Sequence, residues 1–296
     1  MSGAKAIDLS RLPAPDVIET LKFHTLLQTI KDDFQRRAPQ HAKTLDLESE
    51  PLVKLLQSAA YTVLHLRQRV NDAARSVMLA YATGRDLDHL AALFNVKRLE
   101  IEPANTQATP PVSAKMEDDG KLRARVQMAL EGVSSAGSIG AYRYHGLSAD
   151  GQVKDIGVDS PKPGQVRISV LSKTANGAAN ASLLGKVREK LTAEKVRPLT
   201  DTVAVQGADI RAYAISAQLH IGPGPDKEVV RKAADKAARA YSAAQHKLGA
   251  DIRLSALYAA LHLPGVDQVT LTAPASDLVC QAHQAPWCTA VSVTAT

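Results

Sequence analysis

The residues whose types could hold a metal are Cys280, His283 and Cys288, in a C-x2-H-x4-C spacing near the end of the chain. A structural zinc site takes four such ligands, so this cluster is one short. Two thiols beside Trp287 is the simpler reading, and spacing alone leaves open whether they pair as a disulfide. Carboxylates are paired at Asp32 and Asp33 and clustered at Glu117, Asp118 and Asp119. General acid–base work needs two carboxylates in contrasting, partly buried surroundings. The second set instead sits in a polar stretch before Lys121 and reads as a helix start or a solvated loop. The nine histidines are scattered singly. His145, between Tyr144 and Gly146, suits a packed or capping position in a short helix. There is no GxxxxGK[ST] phosphate loop, no GxSxG elbow and no HExxH helix. Gly137–Gly140 lacks the preceding strand that a dinucleotide fingerprint requires. The expectation is therefore a non-enzyme with no catalytic residue, no metal and no cofactor.

A second chemistry to weigh is nucleic-acid binding. Arg123, Arg125 and Arg143, interleaved with Tyr142 and Tyr144, come nearest to a basic stripe with aromatic platforms. The chain carries a net charge of +6 and a pI near 9.2. Its charges are nevertheless mixed: Asp226–Lys247 holds six basic and three acidic residues, net +3. That pattern describes a solvated helix face. Arginines of this kind serve equally well against a partner's carboxylates or backbone. Nucleic acid is not an expected partner, and a basic nucleic-acid-binding module stands as the alternative.

These residues must be positioned by a fold of ordinary globular composition, 45% apolar and 22% charged, with only 4% aromatic residues. Ala, Val and Leu must fill the core, which suits thin helix–sheet layers. At 296 residues the chain is long enough for two or three units and needs no disulfide to fold. No secretory h-region opens it, and no apolar run reaches the roughly 18 residues of a membrane span.

Leu52, Leu55, Leu56, Ala59, Ala60, Val63 and Leu66 recur at spacings of three and four, the stripe of an amphipathic helix. Pro51 suits its first turn and Ser49 its cap. The spacing does not distinguish a partner helix in the same chain from one in another. A helix follows over Leu87–Phe94, with Asp86 as cap. Residues 102–119, with three prolines, read as a linker or extended surface loop, Lys121–Glu131 as a helix and Gly132–Gly140 as a hinge. Next come a short helix from Ala141, strands Val153–Val158 and Val166–Leu171, a helix Ala181–Val196 stopped by Pro198, and a strand Asp201–Gln206. Ile210–Ile221 alternates as a long strand. After the turn Gly222–Pro225, Asp226 caps a helix to Lys247. Ser255 caps another over Ala256–Leu263, followed by a strand Val266–Leu271. Thr289–Thr296 alternates as a last edge strand.

AYRYHGLSADGQVKDIGVDSP (141–161) resembles ALYAALHLPGVDQVTLTAP (256–274): short helix, glycine turn, strand, proline. The expectation is an α+β, multidomain chain. Its parts are a helical N-terminal domain (1–101), a linker, helix and hinge (102–137), two α+β subdomains (138–208 and 209–274) and a C-terminal β tail (275–296).

Five stretches in order resemble the baseplate assembly protein J family, the baseplate J-like proteins of contractile-tailed phages and phage-tail-like bacteriocins. They are IDLSRLPAPDVIE (7–19), LDHLAALFNVKR (87–98), the block from Arg123 to Ser172, VRPLTDTV (196–203) and QAPWCTAVSVT (284–294). KMEDDGKLRAR departs from the family's more glycine-rich acidic stretch before its Arg-rich helix. The resemblance implies a baseplate wedge subunit, made in the host cytoplasm and located in the virion or tail-particle baseplate. Implied partners are other wedge proteins and further copies of itself, with hub or sheath proteins besides, and neither nucleic acid nor membrane. It also implies that the helical part joins an inter-subunit bundle, that the α+β parts make ring contacts and that the ring changes as the sheath contracts. Candidate interface residues are Leu52, Leu56, Val63 and Leu66 for the bundle. Arg123, Arg125, Tyr142 and Arg143 are the candidates around the hinge.

Overall fold

The computed structural model describes residues 7–13, 15–134, 137–198, 200–224 and 226–296. The chain divides into two compact units, Ala6–Lys97 and a larger one holding Arg98–Thr296. The architecture is α+β and multidomain.

The smaller unit is helical: α1 (Phe23–Arg37), a 3-10 stretch (Pro39–Asp46), α2 (Pro51–Ser76) and α3 (Gly84–Ala92). Helix α2 starts at Pro51, whose missing N–H costs nothing in a first turn. The residue before it, Glu50, stands at the cap without a side-chain bond, so Ser49 does not cap this helix. Thr83 holds the equivalent place before α3, and Asp86 lies inside the first turn. There its negative charge suits the helix dipole. The core of this unit joins Leu45, Val53 and Leu56 to Leu27, Ile30, Phe34 and Leu52. Farther along α2, buried Asn71 donates to the Glu19 carbonyl at 2.9 Å and accepts from the Glu19 amide at 3.0 Å. That exchange satisfies a buried amide and fixes the leading segment against the helix.

The larger unit opens with a hairpin across the stretch expected as a linker or extended surface loop. Strands β1 (Glu100–Glu102) and β2 (Lys115–Met116) pair antiparallel, and Asn105 bridges Val112 inside the loop. Helix α4 (Asp119–Met128) is capped by Asp118, which accepts from the Lys121 amide at 3.0 Å. Helix α5 (Ile139–Leu147) is capped by Ser138 in the same way. Of the expected Gly132–Gly140 hinge, Glu131–Val133 is a 3-10 turn, and residues 135 and 136 lie outside the described residues. Pro225, in the expected turn before Asp226, lies outside them too.

Two three-stranded sheets follow. In the first, β3 (Val153–Lys162) pairs antiparallel with β4 (Gln165–Ser172). After α6 (Ala181–Thr192), β5 (Thr202–Gly207) pairs parallel with β4. In the second, β6 (Asp209–Ile221) leads into α7 (Lys227–Gln245), α8 (Leu254–Leu261) and β7 (Val266–Ala273), which returns antiparallel to β6. Strand β8 (Gln284–Ala295) then pairs parallel with β6 along its other edge. Asp226 caps α7 through the Glu228 and Val229 amides. Ser255 lies within α8; the first amide of that helix, Leu254, is held by the Asp277 carboxylate at 2.8 Å.

The two sheets are built from the same parts in a different order. Each has a middle strand flanked by one antiparallel and one parallel neighbour. In each, a short helix leads into the antiparallel strand (α5 into β3, α8 into β7), and a longer helix follows the middle strand (α6 after β4, α7 after β6). Each long helix packs on the parallel strand and each short one on the antiparallel strand. The order along the chain is α5–β3–β4–α6–β5 in the first and β6–α7–α8–β7–β8 in the second. The cores match the composition: Ile168, Val170, Leu183, Val187 and Leu191 in the first, and Ile215, Leu219, Leu257 and Leu261 in the second. Fully buried Ala234 and Ala238 bring α7 close to its sheet without aromatic filler.

Candidate functional site

Helix α2 carries two apolar stripes. The inner one, Val53, Leu56 and Ala60, is buried. The outer one reads Leu55, Ala59, Leu66, Val70, Ala73 and Val77, interrupted only by Thr62, at spacings of three and four, and every member is exposed. Leu55, Leu66, Val70 and Val77 are 60–68% exposed. A stripe of this kind along a 26-residue helix, roughly 39 Å at 1.5 Å per residue, is the surface a second helix packs against. Tyr61 stands beside it, with its ring 4.5 Å from Phe23 and stacked along His65 at 6.3 Å.

The four bundle candidates are therefore divided between faces. Leu56 is buried and Leu52 packs on the same core, Val63 is half-buried, and Leu66 belongs to the outer stripe. Leu55 belongs to the stripe read from the sequence but not to the interface candidates, and Val70 and Val77 lie beyond that stripe, although the same spacing reaches them.

The residues around α4 and α5 are engaged inside the fold. Arg125 lies buried, with its Nε 3.0 Å and Nη2 2.6 Å from the two oxygens of Glu117 and its Nη1 3.2 Å from Ser148 Oγ. Arg98 donates to the Glu117 carbonyl at 2.6 Å and to Asp119 at 2.7 Å. The Tyr142 hydroxyl donates to Asp201 at 2.8 Å. Burial first, and that acidic partner second, push its ionisation well above the ordinary range. Arg143 pairs with Asp155 at 3.0 Å, and Arg123 is half-buried and also bonded. His145 donates through Nε2 to the Gly132 carbonyl at 3.0 Å, and burial holds its pKa below 6.5. Beside exposed Glu131 and the half-exposed Arg143, three large apolar side chains also face outward here: Leu130 at 71%, Val133 at 80% and Ile139 at 47%.

Cys280 and Cys288 are free thiols, and burial pushes both up. A raised thiol is a poor nucleophile and metal ligand. Among the described residues, no three His, Cys, Asp or Glu side chains gather where they would hold a metal ion. No helix among them is long and apolar enough to cross a membrane.

The chain matches three family models in succession: the baseplate J-like N-terminal domain over residues 48–105, the central domain over 134–207 and the C-terminal domain over 213–294. It is also 53% identical over 288 residues to baseplate protein J of Escherichia phage P2, covering 96% of this chain and 95% of that protein. The chain belongs to the baseplate J-like family. Among solved structures, a chain of the anti-feeding prophage baseplate aligns with this baseplate J-like protein at a TM-score of 0.41 and 11% identity. That alignment covers 62% of this chain and 43% of the other, and a likeness so faint carries no weight. The central and C-terminal family domains hold the two three-stranded sheets of this baseplate J-like protein, and the N-terminal one holds α2 and α3.

Proposed function

We propose that this chain is a structural wedge subunit of a contractile, phage-like tail baseplate, where its role is assembly and not catalysis. It resides in the virion or tail-particle baseplate. Helix α2 joins helices of other wedge proteins through its outer stripe. The two sheet subdomains meet further copies of the chain in a ring around the hub, and rearrangement of that ring accompanies sheath contraction. Linker, hinge and subdomains divide the chain near residues 102, 138 and 209.

The observation that carries this reading is the exposed stripe from Leu55 to Val77. Each large apolar side chain in it gains about 1.5–3 kcal/mol on burial, and none of the described residues of its own unit covers it. Heterologous ring contacts need two different patches on each copy. The apolar group Leu130, Val133 and Ile139 is one candidate.

Co-expression with the tail proteins encoded beside it, followed by affinity capture and light scattering, tests the reading. A heteromeric complex of fixed stoichiometry is expected. A monomer that ignores every tail neighbour overturns it.

A further inference from the structure

A cleft of about 320 Å³ opens between the second half of α7, strand β8 and the start of β3. Lys154, Arg239, Ser242, His246, Trp287 and Cys288 line it, and no carboxylate does. Lys154 Nζ lies 2.7 Å from His246 Nδ1. His246 is 6% exposed and packs its ring 4.8 Å from that of Trp287. With its proton on the buried Nε2, which has no hydrogen-bond partner among the described residues, the imidazole accepts one hydrogen of the ammonium at Nδ1.

That lysine is paired with no acidic group among the described residues. The neighbouring Asp155 is turned away, bonded to Arg143 and to the Leu248 amide. Burial lowers the proton affinity of Lys154, and the nearby Asp155 carboxylate offsets this only in part. Arg239 stands at the rim, bonded to Asp235 at 2.7 Å and reaching the Val291 carbonyl at 3.4 Å. The Trp287 ring supplies an apolar wall. Strand β8 is the outer strand of its sheet, so this rim is accessible to an incoming chain.

We propose that this cleft receives a glutamate side chain from a partner protein, its carboxylate on Lys154 and Arg239 and its methylenes against Trp287. His246 is then a positioning residue for the lysine. The choice of a protein over a free anion rests on the assembly role proposed above, and on a cleft too large for a bare carboxylate that offers the Trp287 ring to a side chain's methylenes.

Trp287 is the only tryptophan in the chain, so its fluorescence reports occupancy directly. The full chain is titrated with a short capped peptide bearing glutamates, with its glutamine counterpart, and with sodium sulfate at matched ionic strength. The glutamate peptide is expected to give a saturable change, weakened about tenfold or more by Lys154→Met and by Arg239→Gln, the scale of one lost charged hydrogen bond. No saturable change, an equal response to the glutamine peptide, an equal response to sulfate, or wild-type binding by both variants overturns the proposal. Should Lys154→Met fail to fold, the rim variant Arg239→Gln decides alone. The reading needs no tail particle, so failure here leaves the assembly role to its own co-expression test.

Discussion

Asp155 of β3 accepts the amide of Leu248, beyond the end of α7, at 3.0 Å, so one carboxylate spans the two sheet subdomains. Its other oxygen accepts from Arg143 of α5 and from the Ile156 amide. The carboxylate is 9% exposed and the Arg143 side chain 50%. Removing the buried acceptor orphans several donors; removing the arginine leaves water to replace it.

Asp155→Ala is therefore expected to cost about 2–4 kcal/mol and Arg143→Ala under about 1 kcal/mol. Urea unfolding of the two variants compares them. Equal losses would mean that the ion pair, and not the bridge to Leu248, holds this joint.

The two faces of α2 separate folding from assembly. Leu56→Ala is expected to destabilise the chain by about 2–5 kcal/mol, the cost of a truncated core leucine. Leu66→Ser, together with Val70→Ser, is expected to leave stability within about 0.5 kcal/mol of wild type while abolishing capture by tail partners. Thermal melts and affinity capture on the same preparations check both. Full capture by the outer-face variant removes α2 from the interface.

Stability is expected to fall as pH drops below 6.5. Burial holds His145 and His246 below that ordinary value, and Lys154 adds to the effect at His246. Between the native pKa values and 6.5 the unfolded chain binds more protons, so acid favours unfolding, by up to about 1.4 kcal/mol per pH unit for each histidine. The loss levels off once the native imidazoles are protonated too. Glu228, held down at about 2 mainly by its bond to Arg231, contributes only in stronger acid. Lys173, pushed down to about 8 chiefly by burial, is protonated in both states across this window. Melting temperatures from pH 7 to 5 follow the trend. His145→Gln with His246→Asn, which keep the hydrogen-bonding atoms, should flatten it.

Much of the fold is legible in residue patterns. The alternation from Ile210 to Ile221 defines β6, and Asp226 marks the start of α7. What stays hidden depends on partners. The hairpin at 102–119 is held by backbone bonds such as Asn105 to Val112, which no side-chain period announces. Alternation along Thr289–Thr296 shows a strand but not its parallel pairing with β6. On α2, apolar residues at 52, 53 and 56 and at 55, 59 and 66 both satisfy helical spacing. Only the packing of α1 decides which stripe turns outward. Arg125 reads as a free cation until the fold delivers Glu117 to it from eight residues upstream.

Each sheet closes around an equivalent middle strand, β4 in one and β6 in the other, yet one receives its helix–strand pair before that strand and the other after it. The pair α5–β3 in one sheet and α8–β7 in the other thus behaves as a movable cassette. Its packing is conserved while its point of attachment is not. Loops alone absorb the rearrangement, so the covalent path through this protein is negotiable where its contacts are not.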